Sequence, residues 1–292
     1  GSVDLLVVSK EEDKLKCCVQ NDGVIKGKKS VNVPGVHISL PALTDKDRLF
    51  VKWAISADID FIAHSFVRTK EDLMEIQEIL DAERSHLKII SKIENQQGID
   101  NLEEILTYCY GVMIARGDLG VEIPAERIPL IQKQIVQKCR ARKKPVIVAT
   151  QMLHSMIENP RPTRAEVTDV ANAIFQSTDA IMLSGETASG KYPVEAVKTM
   201  AKIAERTEQA IDYNGRMKRR ESIENFDVTT AISHATCTTA MDLKAAAIIT
   251  VMLYIKLKIL RPFDKLSDVP YELSKGNLTA PVKETKNRFF GR

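Results

Sequence analysis

Two carboxylates 24 positions apart, Glu94 in Ser91-Lys-Ile-Glu-Asn95 and Asp118 in Ala115-Arg-Gly-Asp-Leu-Gly120, are the residues best suited to chemistry. Each follows a short apolar stretch, Leu87 to Ile90 and Gly111 to Ile114. Both should therefore emerge where a buried strand ends and the chain turns toward a helix. A parallel α/β fold gathers its chemistry at such strand ends. Two oxygen ligands with Lys92 beside one of them suit a Mg²⁺ that also holds a phosphorylated substrate.

The elements that must position these groups are legible as a repeat. A strand followed by a helix recurs five times, with strands expected at Ile59 to Ala63, Leu87 to Ile90, Gly111 to Ile114, Val146 to Ala149 and Ala180 to Leu183. Between them apolar residues fall at helical spacing, as in Leu73, Ile76, Ile79 and Leu80 after Thr69 and in Ile131, Ile135, Val136 and Cys139 after Pro129. Alternating β and α elements imply a parallel sheet. Polar or small residues close each strand: Ser65 to Arg68, Ser91 to Asn95, Ala115 to Gly120, Ala149 to Leu153 and Ser184 to Ala188. Their recurrence in five successive units favours one rim of a (β/α)8-type TIM barrel over an open sheet with a single switch point. Such a barrel needs eight strands and five are legible, so the chain is expected to enter the barrel late.

Around that repeat, residues 1–36 read as the end of a small β domain, with Val3 to Val8 and Leu15 to Val19 as strands and Asn21-Asp-Gly23 as a turn. Residues 37–215 form the later barrel, entered by a helix whose capping box is Thr44 with Asp47. Residues 216–251 read as the start of a C-terminal α/β domain, with a helix from Thr229 to Leu243 and a strand from Ala246 to Val251. Residues 252–292 lose the pattern and carry Pro262, Pro270 and Pro281.

Composition excludes several classes. With 44% hydrophobic and 28% charged residues the chain is ordinary for a globular enzyme. No apolar run suggests a membrane span or secretory leader, so a cytoplasmic location is expected. The net charge of +3 is too small to imply nucleic acid. It is uneven: residues 252–292 hold nine Lys/Arg against four Asp/Glu, which leaves 33 against 35 elsewhere. A solvated basic tail is the expectation, with no membrane or nucleic-acid partner. Five cysteines without regular spacing argue for reduced, mostly buried thiols. The five histidines show no metal-ligand spacing.

At the rim the sequence resembles the pyruvate kinase family. Ile90-Ser-Lys-Ile-Glu-Asn95, Ile114-Ala-Arg-Gly-Asp-Leu-Gly-Val-Glu-Ile-Pro124, Ala149-Thr-Gln-Met-Leu153, Pro160-Arg-Pro-Thr-Arg-Ala-Glu166 and Met182-Leu-Ser-Gly-Glu-Thr-Ala188 match it in order and spacing. The resemblance implies glycolytic phosphoryl transfer from phosphoenolpyruvate to ADP, giving ATP and pyruvate, with Mg²⁺ (or Mn²⁺) and K⁺, in a homotetramer. It assigns Glu94 and Asp118 to the metal and Lys92 to the transferring phosphoryl group. It gives the turn opened by Gly117 and carrying Asp118, where helix-start N–H groups are free, to the substrate carboxylate. Thr150 falls near the carbon that is protonated, with Ser184 as a further relay member; capping of the helices that follow is the plainer reading of both. Lys29, in Lys28 to Gly35, matches a lid lysine that reaches the nucleotide. In the family the first three barrel strands supply a substrate-binding arginine, the K⁺ ligands and part of the nucleotide site, and these are expected to be missing here. The rival readings are a non-catalytic remnant of that family and a barrel lyase that stabilises an enolate without moving phosphate.

Overall fold

The computed structural model describes residues 3–25, 27, 31, 33, 35–36, 41–213, 215 and 228–245. Lys29, the strand expected at Ala246 to Val251 and the basic tail lie outside the described residues. The chain divides into two compact units, Gly1–Ile211 and Asp212–Arg292.

In the first unit, β1 (Leu5–Lys10) and β2 (Leu15–Val19) form an antiparallel pair whose register shifts between Val7 and Ser9. Then α1 (Asp45–Ser56) begins at Thr44, whose hydroxyl accepts from the Asp47 N–H while the Asp47 carboxylate accepts from the Thr44 N–H. That reciprocal pair satisfies two donors a helix start would otherwise leave open.

The repeat follows as β3 (Phe61–His64), α2 (Lys70–Ala82), β4 (Lys88–Ile93), α3 (Gln96–Asp100), α4 (Leu102–Tyr108), β5 (Gly111–Ala115) and α5 (Arg116–Glu122). It continues through α6 (Ile128–Ala141), β6 (Val146–Ala149), α7 (Arg164–Phe175), β7 (Ala180–Met182), α8 (Gly185–Ala188) and α9 (Pro193–Glu208). The five strands β3 to β7 are parallel, and each pairs with the next in sequence. A doubly wound sheet reverses its strand order at a switch point. Here the order runs β3-β4-β5-β6-β7 without reversal, which is the barrel's succession.

Strand side chains alternate between two faces. Ile89, Ile93, Val112, Ile114, Val146 and Val148 point into the main core with Leu73, Ile76, Leu80, Ile105 and Val136 of the helices. Ile90, Met113 and Ala149, with Ile147 and Met182, form a smaller cluster on the opposite face. Each fully buried aliphatic side chain, Leu73 or Ile114 for instance, contributes about 1.5–3 kcal/mol of transfer free energy. By period two Lys92 shares the face of Ile90, and it lies directly across from Met113.

β3 and β7 each have one strand partner among the described residues, and Phe61 on β3 is half exposed against Tyr110, ring centroids 5.7 Å apart. The cysteine expectation needs correction: Cys109 and Cys139 are buried, but Cys18 is exposed and Cys17 and Cys237 are intermediate. For Cys17 and Cys18 the reason is that neighbouring residues of the β1–β2 hairpin face opposite ways and neither face is covered by the core. In the second unit the described structure is a helix, Val228–Asp242. Among the described residues no helix is long and apolar enough to cross a membrane.

Gly98 shows how tightly the rim is packed. A Cβ there would stand 2.5 Å from the Val67 carbonyl oxygen, and its N–H donates to Asn95 Oδ1 at 2.7 Å. Backbone cannot step aside as a flexible side chain can. Gly98→Ala is expected to cost about 1–3 kcal/mol, read as a lower midpoint in urea unfolding; an unchanged midpoint would show that the α3 turn yields freely.

Candidate active site at the strand ends

Glu94 leaves β4 one residue past Ile93 and is 1% exposed. Its Oε2 accepts the Phe66 N–H at 2.7 Å. Its Oε1 stands 2.8 Å from Lys92 Nζ, an ion pair whose approach misses hydrogen-bond geometry, so that oxygen is buried without a hydrogen bond. Lys92 Nζ donates instead to Ser65 Oγ at 2.9 Å, at the end of β3. A lone solvated lysine would make neither contact. Ser65 also lines a cavity of ≈ 460 Å³ beside α1 and β3, where apolar walls such as Phe50, Trp53 and Ile62 are joined by Asp47 and His64 and neither Glu94 nor Asp118 takes part.

Asp118 sits in the first turn of α5 and is exposed. Because Ile93 pairs with Ile114, the exits carrying Glu94 and Asp118 are adjacent in the sheet. Among the described residues no cluster of three or more His, Cys, Asp or Glu forms a metal cage. Glu94 keeps one oxygen free of hydrogen bonds beside Lys92, the donor chemistry that a hard divalent cation would take, with Asp118 on the adjacent exit as the second carboxylate. Mg²⁺ commonly takes one or two protein carboxylates and completes its shell with water and substrate oxygens.

The Gly117 N–H donates to Thr150 Oγ1 at 2.6 Å, and a Cβ at Gly117 would meet that oxygen at 3.2 Å. The hydroxyl in turn donates to the Ala149 carbonyl at 2.6 Å. Ala115, at the N-cap of α5, offers no side-chain cap. Thr150 thus caps a helix of the neighbouring unit rather than one following its own strand. Ser184 stands at the N-cap of α8 without capping it, and among the described residues no hydrogen bond joins it to Thr150. The capping reading of Ser184 is therefore set aside.

Thr150 and Gln151 are left-handed, at φ +70° and +54°, and Phe66 is at +54°. For a β-branched or bulky residue that conformation costs on the order of 1–3 kcal/mol. Arg116, a residue the motif reading did not single out, holds the first two. Its Nη2 donates to the carbonyls of Thr150 and Gln151 at 2.8 and 3.3 Å and lies 2.9 Å from Met152 Sδ. Its Nη1 reaches Asp169 Oδ1 on α7 at 2.8 Å and Gln132 Oε1 on α6 at 3.3 Å. An arginine beside an aspartate in the same motif signalled nothing of this, because its partners lie 16 to 53 residues away.

Other buried groups are structural. Glu186, 1% exposed, accepts the N–H groups of Leu153 and Ser184. Burial pushes the Cys109 thiol up and Cys139 up to about 12, so neither is a nucleophile at neutral pH.

The strands thus define a barrel-type α/β protein with its polar side chains gathered at the carboxyl ends. A family model for the pyruvate kinase barrel domain matches residues 1–197. Pyruvate kinases of Geobacillus stearothermophilus and Clostridium acetobutylicum are 54% identical over 250 residues and 51% over 251. The alignments cover 85% and 86% of this chain and 43% and 53% of those proteins. A crystal structure of a pyruvate kinase from Cryptosporidium parvum superposes with a TM-score of 0.78 at 41% identity, over 84% of this chain and 52% of that one. The chain belongs to the pyruvate kinase family, and it spans about half the length of the curated relatives it matches.

Glu166 ties the rim to α7. Burial raises its pKa, but the Ser155 hydroxyl and N–H and the Thr163 N–H outweigh that and hold it below the usual 4.5. A carboxyl depressed in the folded state adds stability above its unfolded pKa and loses it as pH falls through the folded one. Unfolding midpoints should therefore drop as pH falls below about 4.5, and Glu166→Gln should flatten that drop while lowering the midpoint at pH 7. Parallel curves for both proteins would contradict this.

Proposed function

We propose that this chain carries the lysine and metal-holding groups of a site that moves the phosphoryl group of phosphoenolpyruvate to ADP, giving ATP and pyruvate. The observation that carries the reading is the ion pair of half-buried Lys92 with buried Glu94 at the end of β4 beside the exit that bears Asp118. Family membership supports it. Residues 1–36 then belong to the lid domain with Lys29 directed to the nucleotide, 37–215 to the barrel, 216–251 to the start of the C-terminal domain and 252–292 to a divergent tail. K⁺ dependence, assembly as a homotetramer and a cytoplasmic location belong to the same reading.

Glu94 and Asp118 would hold Mg²⁺ or Mn²⁺, which when bound neutralises charge on the phosphoryl oxygens and templates the substrate. The P–O bond of phosphoenolpyruvate breaks, a bond to the terminal oxygen of ADP forms, and the enolate left behind takes a proton at its methylene carbon. Lys92, held between Ser65 and Glu94, presents a compact positive charge to the transferring group and then to the enolate oxygen. Asp118's turn of α5 faces the substrate carboxylate. Gly117, whose N–H reaches Thr150, opens that turn and leaves room for the substrate carboxylate to approach its backbone. Thr150, whose hydroxyl is bonded on both sides to backbone, orients the proton-delivering water rather than supplying the proton, and Ser184 lines the approach. A hydroxyl is too weak an acid to act alone.

Two measurements test this. Glu94→Gln is expected to abolish Mg²⁺-dependent binding of oxalate, a mimic of the pyruvate enolate, in titration calorimetry; undiminished binding would remove Glu94 from the metal. Pyruvate formation from phosphoenolpyruvate and ADP should fall about 10²–10³-fold in Lys92→Ala. Intact metal and oxalate binding with no turnover in the parent chain would favour the non-catalytic reading, consistent with β3 having one strand partner among the described residues.

A further inference from the structure

Arg116 touches no side chain assigned to substrate or metal, yet three segments beyond its own helix converge on it. Its side chain is 10% exposed and reaches α6 through Gln132, α7 through Asp169 and the β6 exit through two consecutive carbonyls, all from the first position of α5. The two carbonyls belong to Thr150 and Gln151, whose positive φ angles direct them at the guanidinium. Left to its own preference a threonine returns to negative φ, which would carry its hydroxyl away from Gly117.

We infer that Arg116 is the positioning residue of the site: its guanidinium holds the left-handed Thr150–Gln151 turn and thereby places the Thr150 hydroxyl against the Gly117 N–H at the start of α5. A planar fork suits this task, because one Nη can serve two carbonyls while the other is anchored to a carboxylate. Lysine, a single point charge on a flexible stem, cannot reach both sides at once. Asp169 supplies the counter-charge that makes the buried guanidinium tolerable and fixes its plane. The geometric inference stands by itself; its effect on turnover rests on the function proposed above.

Amide hydrogen exchange resolved by residue in the full chain tests it. In Arg116→Gln the Gly117 N–H should exchange about tenfold faster relative to Ile114 and Val148 in the interiors of β5 and β6, matching the loss in Thr150→Val, which removes the acceptor directly. Arg116→Lys is read the same way should the glutamine variant fail to fold, and it should lie between the glutamine variant and the parent. Unchanged Gly117 exchange, or acceleration spread equally over Ile114 and Val148, would overturn the inference, the second by reducing Arg116 to general stability. Where the parent chain turns over, kcat should fall in Arg116→Lys with KM for phosphoenolpyruvate little changed; a rise in KM alone would also overturn it. A parent chain without turnover would count against the proposed function while leaving the exchange result to decide this inference.

Discussion

The rim depends on one kind of bond, in which a polar side chain from one β/α unit accepts a backbone N–H from the unit before it. Glu94, past β4, takes the Phe66 N–H past β3. Glu122 of α5 takes the Gln96 N–H past β4, Thr150 past β6 takes the Gly117 N–H past β5, and Glu186 past β7 takes the Leu153 N–H past β6. Parallel register makes this possible by setting successive strand ends side by side. Backbone donors at the start of a helix or in a sharp turn must be satisfied, and here the neighbouring unit does so. Each exit loop is consequently held by the next.

Against that lattice the two carboxylates differ. Glu94 is buried, bonded to backbone through one oxygen and paired with Lys92 through the other. Asp118 is exposed on the first turn of a short helix. One arm is fixed by its bonds within the rim and the other faces solvent. The left-handed residues Phe66, Thr150 and Gln151 occur where these bonds and the Arg116 clamp hold the chain. Strain of this kind persists only when surroundings over-determine it, and the rim supplies that condition.

Much of this was legible from residue order. The strand at Val146 to Ala149 falls as expected and the others within a few residues, because buried parallel strands read as short apolar runs. The box at Thr44/Asp47 was equally plain, being local, three residues apart and dependent on no partner elsewhere. Local pattern failed where the partner was remote. Nothing near Gly117 announced that its N–H belongs to Thr150, 33 residues on. Nor did anything near Glu166 announce that its carboxylate holds Ser155, 11 residues before it.

By itself the sequence determined the alternation of strands and helices, the presence of Lys92, Glu94 and Asp118 at strand ends, and the family to which these motifs belong. Those properties follow from side-chain type and short-range periodicity, which every residue carries wherever the chain goes. Only the tertiary structure decided which carboxylate is buried, that Lys92 bridges Ser65 and Glu94, and that Arg116 grips a turn from another strand. These depend on segments far apart in the chain meeting at adjacent strand ends, and distance along the chain carries no record of which donor will face which acceptor.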